Sequence, residues 1–146
     1  MILDAFLQVS SAQQVTGTAL SENSVDLGDV TPKRSIAAGE PMVFVLNVKA
    51  NGTTTGSVVV QAIQSAAADL GSGTIVLGSI ALATGDLTAG QTHILPIGQG
   101  PTRTRYIGLN YVVTGTVDAT FDSFLQPASM AAVERPENYA DGFAIL

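Results

Sequence analysis

The sequence predicts an all-β fold, an antiparallel sandwich or barrel of eight strands with an extended C-terminal arm, and three observations lead there. The stretch Arg105–Gly115 behaves as one strand: Ile107, Leu109, Tyr111 and Val113 recur at a period of two, with Gly108, Asn110 and Thr114 on the other side. Asn51-Gly52 stands between two runs rich in β-branched residues, the strongest short signal of a two-residue hairpin. Short apolar runs elsewhere are separated by Gly, Pro, Asn and Asp at the spacing of strands and turns.

Taken in order, Leu3, Ala5, Leu7 and Val9 give the first alternation, and the polar run Ser10 to Gly17 ends it. Ser24 to Gly28 is a second, short strand, and Asp29 to Gly39 forms an exposed connection. Met42, Phe44, Leu46 and Val48 then alternate with more polar neighbours along a third strand. The type I′ turn expected at Asn51-Gly52 sends the fourth back antiparallel from about Thr54 to Ser65. Val59, Ile63, Ala67 and Leu70 also satisfy helical spacing, but the β-branched run Val58-Val59-Val60 decides for a strand. Ile75 to Ala83 and Thr92 to Ile97 follow, with Gly85 to Gly90 as a turn. The Arg105–Gly115 strand should lie inside a sheet, because it is long, proline-free and apolar on one face. Ala119 to Gln126 is the last strand, its Phe121, Ser123 and Leu125 opposing Thr120, Asp122 and Phe124.

This divides the chain into a sandwich, residues 1–126, and an arm, residues 127–146, in which Pro136, Asn138 and Asp141-Gly142 break any regular element. Ordering the arm's last eight residues costs about 8–16 kcal/mol of backbone entropy, and burying Tyr139, Phe143, Ile145 and Leu146 returns roughly 6–12 kcal/mol. The arm should therefore be fixed only where a neighbouring surface adds hydrogen bonds; the alternative is a tail folded back over its own sandwich. That makes Tyr139, Phe143, Ile145 and Leu146 interface candidates, together with Arg103 and Arg105 at the entry of the long strand.

Composition excludes several classes of function. With no cysteine there are no disulfides, thiolate metal sites or thiol nucleophiles. The start Met1-Ile2-Leu3-Asp4 lacks a basic n-region, so no export signal is expected, and no apolar run approaches the ~20 residues of a membrane span. A net charge of −6 with six Lys and Arg thinly spread argues against nucleic acid. Only 12% of residues are charged, about half the usual ~25%, which suits an exterior partly covered by partners.

No enzymatic chemistry is expected. His93, the single histidine, lacks a Gly-x-Ser-x-Gly partner motif and reads as a surface or partly packed residue. One histidine cannot build the metal site of a cupin, and Asp26, Asp29 and Glu40 match no calcium loop, so no cofactor is expected. Gly98-Gln99-Gly100-Pro101 lacks the Lys and Ser/Thr of a phosphate loop. A carbohydrate- or receptor-binding module is the alternative, with Tyr106, Tyr111 or Tyr139 stacking on a sugar; aromatic residues are only 5% of the chain and include no Trp.

A set of short motifs occurs in order along residues 1 to about 126: Met1-Ile2-Leu3-Asp4, Val25-Asp26-Leu27-Gly28, Ala38-Gly39-Glu40-Pro41, Leu87-Thr88-Ala89-Gly90, Leu95-Pro96 and Arg105-Tyr106-Ile107-Gly108-Leu109-Asn110-Tyr111. In these the chain resembles the small capsid cement, or decoration, proteins of tailed bacteriophages. The resemblance implies a jelly-roll sandwich that is made in the host cytoplasm and forms small homo-oligomers, dimers or trimers. It further implies that these bind the outer surface of an icosahedral head and clamp adjacent major capsid proteins. The arm after Pro127 departs from that pattern, so the resemblance assigns it no role.

Overall fold

The computed structural model describes residues 7–28, 41–97 and 104–129. Nine strands form among them: β1 Gln8–Val15, β2 Ala19–Leu20, β3 Val25–Asp26, β4 Met42–Asn51, β5 Ser57–Ser65, β6 Ile75–Leu82, β7 Thr92–Pro96, β8 Tyr106–Thr114 and β9 Ala119–Pro127. They make two antiparallel sheets, ordered β1-β9-β4-β7 and β2-β8-β5-β6, with β3 also on β8. Because β2 and β3 lie one after the other along β8, they count as one interrupted strand, and the eight positions are those of a jelly roll.

The core follows from period-two patterning on the inner faces. Phe44, Leu46 and Val48 of β4 and Phe121 and Leu125 of β9 meet Val58, Val60 and Ala62 of β5 and Ile107, Leu109 and Tyr111 of β8, all of them buried. The long strand is interior to its sheet, as its pattern predicts: β8 has β5 on one side and β2 and β3 on the other.

Three sequence expectations need correction. The Asn51-Gly52 hairpin does not form, since β4 and β5 belong to different sheets. Asn51 instead pairs with Ala119, the Gly52 N–H donates to the Asp118 carbonyl at 2.8 Å, and φ at Gly52 is not positive. The glycine serves close approach, because a Cβ there would overlap the Asp118 carboxylate.

The first strand does not stop at Ser10. It spans Gln8–Val15 with two register shifts against β9 and a positive φ of 48° at Ala12, whose N–H donates to the Asp122 carboxylate at 2.6 Å. Leu3 and Ala5, the start of the expected alternation, lie outside the described residues. Finally, the second strand shrinks from Ser24–Gly28 to Val25–Asp26, and Ala19–Leu20, covered by none of the expected strands, is a strand. Two residues on an edge carry too little pattern to be seen.

Leu70 marks the true end of the ambiguous stretch. The strand stops at Ser65, and Leu70 takes φ 60° in the following loop with its side chain buried over Gly108. An alanine at 108 would overlap the Leu70 Cδ1, so this glycine is where the loop docks on the outer face of the sheet.

Candidate interaction surface

The topology gives the sandwich two unlike ends. At one, β1 meets β2, β4 meets β5, β6 meets β7 and β8 meets β9, all through described loops. These loops hold one another. Thr55 and Gly56 N–H groups donate to the Thr116 carbonyl at 2.9 and 2.8 Å, and Asp118 N–H donates to Thr54 Oγ1 at 3.1 Å. Gln14 Nε2 reaches the Asp118 carboxylate at 2.9 Å, and Thr84 Oγ1 donates to the Gly56 carbonyl at 2.8 Å. His93, half-buried, donates from Nε2 to the Asp86 carbonyl at 2.7 Å, which occupies the nitrogen a catalytic base would need.

At the opposite end lie the start of β1, the end of β3, the start of β4, the end of β7, the start of β8 and the end of β9, so every stretch outside the described residues joins the sandwich here. Asp26 closes β3 and sits across from Tyr106, which brings Arg105 beside it. Arg105 donates from Nε and Nη2 to the two carboxylate oxygens of Asp26 at 2.8 and 2.9 Å, and Gly28 N–H adds a third bond at 2.8 Å. The guanidinium, followed by the Gly28 amide, lowers the Asp26 carboxyl to about 2. Arg105 also lies 5.2 Å from the Tyr106 ring centre.

Among the described residues, the buried side-chain polar atoms that lack a hydrogen-bond partner lie at this end: Thr104 Oγ1 and both amide atoms of Gln126. Thr104 sits there because its N–H is held by the Gln64 side chain at 3.0 Å. Gln126 is placed by register, opposite Val43 on the outer face of the β1-β9-β4-β7 sheet. That face is divided. Toward the knitted end it is polar and internally paired, with Thr92 Oγ1 on Asn47 Oδ1 at 2.8 Å and Lys49 Nζ 3.6 Å from Asp122. Toward the other end it is apolar: Val45 faces Phe124 and Ile94 across the ladders, and Val43, Val45 and Phe124 are 4%, 2% and 3% exposed.

Between the ends, a buried polar group ties the two sheets. The Tyr111 hydroxyl of β8 lies 2.9 Å from Ser10 Oγ of β1 and 2.9 Å from Ser123 Oγ of β9. Ser10 Oγ also donates to Gln13 Oε1 at 2.7 Å, and Gln13 Nε2 donates to the Leu20 carbonyl at 2.8 Å. Burial raises the Tyr111 hydroxyl to about 12, against the lowering by its two serine partners.

Of the sequence-predicted interface residues, Arg105 is described and is engaged by Asp26; Arg103, Tyr139, Phe143, Ile145 and Leu146 lie outside the described residues. Among candidate stacking tyrosines, Tyr111 is fully buried and so is unavailable to a sugar, and Tyr139 lies outside the described residues. No group of three His, Asp or Glu side chains placed to hold a metal occurs among the described residues. The sequence reading passes over the apolar half of the outer face. Its signal was the unbroken run Met42-Val43-Phe44-Val45-Leu46, which fits a strand buried on both faces better than an alternating one.

A protein-family model described as Bbp16 matches residues 9–125, nearly the whole sandwich. The family name is in keeping with a structural protein associated with a bacteriophage. No curated protein matches the chain.

Proposed function

The chain belongs to the Bbp16 family, and from that premise we propose that it is a capsid cement protein. In this reading it binds the outer surface of an icosahedral phage head as a small homo-oligomer and stabilises contacts between major capsid protein subunits. The observation that carries the reading is the asymmetry of the two ends. One end satisfies its own polar groups; the other gathers the unpaired buried atoms, a fixed Asp26–Arg105 pair and the apolar half of a sheet face. A net charge of −6 favours the outside of a shell over its DNA-facing side, and sparse charge suits extensive contact. Many modest contacts repeated over a symmetric oligomer give retention by avidity.

Expanded capsids lacking the protein test this directly. Added purified protein should bind at a saturating, symmetry-defined stoichiometry and raise the temperature at which the heads rupture. A ligand of the assembled lattice stabilises it by about 2.7 kcal/mol per site at a hundredfold excess over Kd. Equal heat stability with and without the protein, or its location inside the shell or only at the tail, would overturn the proposal. The sugar-binding alternative is weakened by the burial of Tyr111 and by the guanidinium over Tyr106; a positive glycan array would revive it.

A further inference from the structure

Asn51-Gly52, which forms no hairpin turn, is the single Asn-Gly pair in the chain; Asn23, Asn47, Asn110 and Asn138 are followed by Ser, Val, Tyr and Tyr. Such a pair is chemically the least protected asparagine context, because a residue without a Cβ leaves its nitrogen open to the asparagine side chain. Once hydroxide takes the Gly52 amide proton, that nitrogen can attack Asn51 Cγ; the Cγ–Nδ2 bond breaks, ammonia leaves with a proton from water, and a succinimide ring remains. Water then opens the ring. Cleavage of the bond from nitrogen to Cγ gives aspartate, and cleavage of the bond to the Asn51 main-chain carbonyl carbon gives isoaspartate, with an extra methylene in the backbone. No oxidant or cofactor is consumed.

We propose that Asn51 is a site of spontaneous deamidation that the fold keeps shut and that opening of the knitted end unlocks. Both residues are exposed, so water and hydroxide reach them and the restraint is geometric. Asn51 ends β4 opposite Ala119, and a strand holds its side chain out from the backbone rather than over the next nitrogen. Its Oδ1 accepts from the Ala89 N–H at 3.2 Å, a bond that is lost if Cγ swings toward Gly52. The Gly52 N–H donates to the Asp118 carbonyl at 2.8 Å, which holds the proton that must leave. The Asp118 carboxylate stands where a Cβ of residue 52 would be, and its charge opposes the amide anion that attack requires. Asp118 is itself fixed, by Thr54 at 3.1 and 3.3 Å and by Gln14 at 2.9 Å. Freeing the nitrogen therefore means opening β4 from β9 at this end. Isoaspartate formed then lengthens β4 where it pairs with β9, so the original contacts do not re-form and the opening is recorded permanently. This inference stands apart from the capsid reading and holds for the isolated subunit.

The full chain is held in mildly alkaline buffer, folded or in urea, and conversion at Asn51 is followed by peptide mass and isoaspartate content. Conversion should be at least about tenfold slower in the folded protein. Thr54→Val, which loosens Asp118, should speed conversion in the folded protein by about three- to tenfold and leave the rate in urea unchanged. Val25→Ala, a core truncation at the opposite end, should leave the folded rate unchanged, which separates local opening from global unfolding. Equal rates with and without urea would overturn the proposal, and so would equal acceleration by the two substitutions. If either variant does not fold, hydrogen exchange of the Gly52 amide in the unaltered protein gives an independent reading. It should be slowed at least about tenfold against the unfolded chain; fast exchange alongside slow conversion would refute the Gly52–Asp118 bond as the lock.

Discussion

The two ends of this sandwich differ less in sequence than in how completely their polar groups are answered. At the knitted end, Thr54 donates to the Asp118 carbonyl at 3.3 Å and accepts from the Asp118 N–H at 3.1 Å. At the other, Thr104 buries the same hydroxyl with no partner. One residue type thus serves two opposite roles. A loop that finishes its own hydrogen bonds is stable as it stands, whereas an end that buries unpaired groups carries their desolvation cost.

The largest expected effect belongs to the group midway between the ends. Tyr111 carries a hydroxyl raised from 10.0 to about 12 by burial, so the folded state keeps its proton where the unfolded state loses it. That stability is complete below about pH 10 and is lost as pH rises toward 12, on the order of 3 kcal/mol. Urea titrations from pH 8 to 12 should show the decline, and Tyr111→Phe should remove its tyrosine-dependent part. An identical decline in the variant would place its cause elsewhere.

Next comes a matched pair of substitutions that tests the comparison itself. Thr54→Val should destabilise by about 1–2 kcal/mol, because it deprives the Asp118 N–H and carbonyl of a partner. Thr104→Val should be neutral or stabilising by up to about 1 kcal/mol, because it removes a buried, unpaired hydroxyl at nearly constant volume. Equal signs in chemical denaturation would show that the two ends do not differ in how far their polar groups are satisfied.

The smallest effect is the exposed Asp26–Arg105 pair, which solvent screens. Its folded carboxyl lies below the ordinary value of 3.8, so its contribution is present above pH 3.8 and disappears as pH falls toward 2. Asp26→Asn should flatten a small acid-side slope between pH 2 and 4. An unchanged slope would leave the pair without a role in stability.

Much of the fold was legible because burial on one face writes a period of two into the chain. Ile107, Leu109 and Tyr111 show it, and β5 could be told from a helix by Val58-Val59-Val60. Misreadings arose where a distant partner decides. Ser10 looks like a strand end, but its buried hydroxyl is met by Gln13 and by Tyr111, 101 positions away. Asn51-Gly52 carries a local turn signal, but β4 extends through Asn51 because β9 pairs with it there. For the surface, Arg105 was legible as a charge beside a strand entry, and Asp26 only as an irregular acid. The apolar outer face was hidden by counting Phe44 and Leu46 as the buried set and assigning Val43 and Val45 to solvent.

The placement of β9 also sets an order of events. Among the described residues it is the last strand made, yet it lies inside its sheet, between β1, the first of them, and β4. Until residues 119–127 have emerged from the ribosome, β1 has no neighbour and β4 has only the five-residue β7. The loop closed when Gln8 meets Phe124 spans most of the chain, so this sheet forms late and slowly. A nascent subunit therefore has no half-built β1-β9-β4 face to expose, and its unpaired β1 and β4 edges close together when β9 arrives.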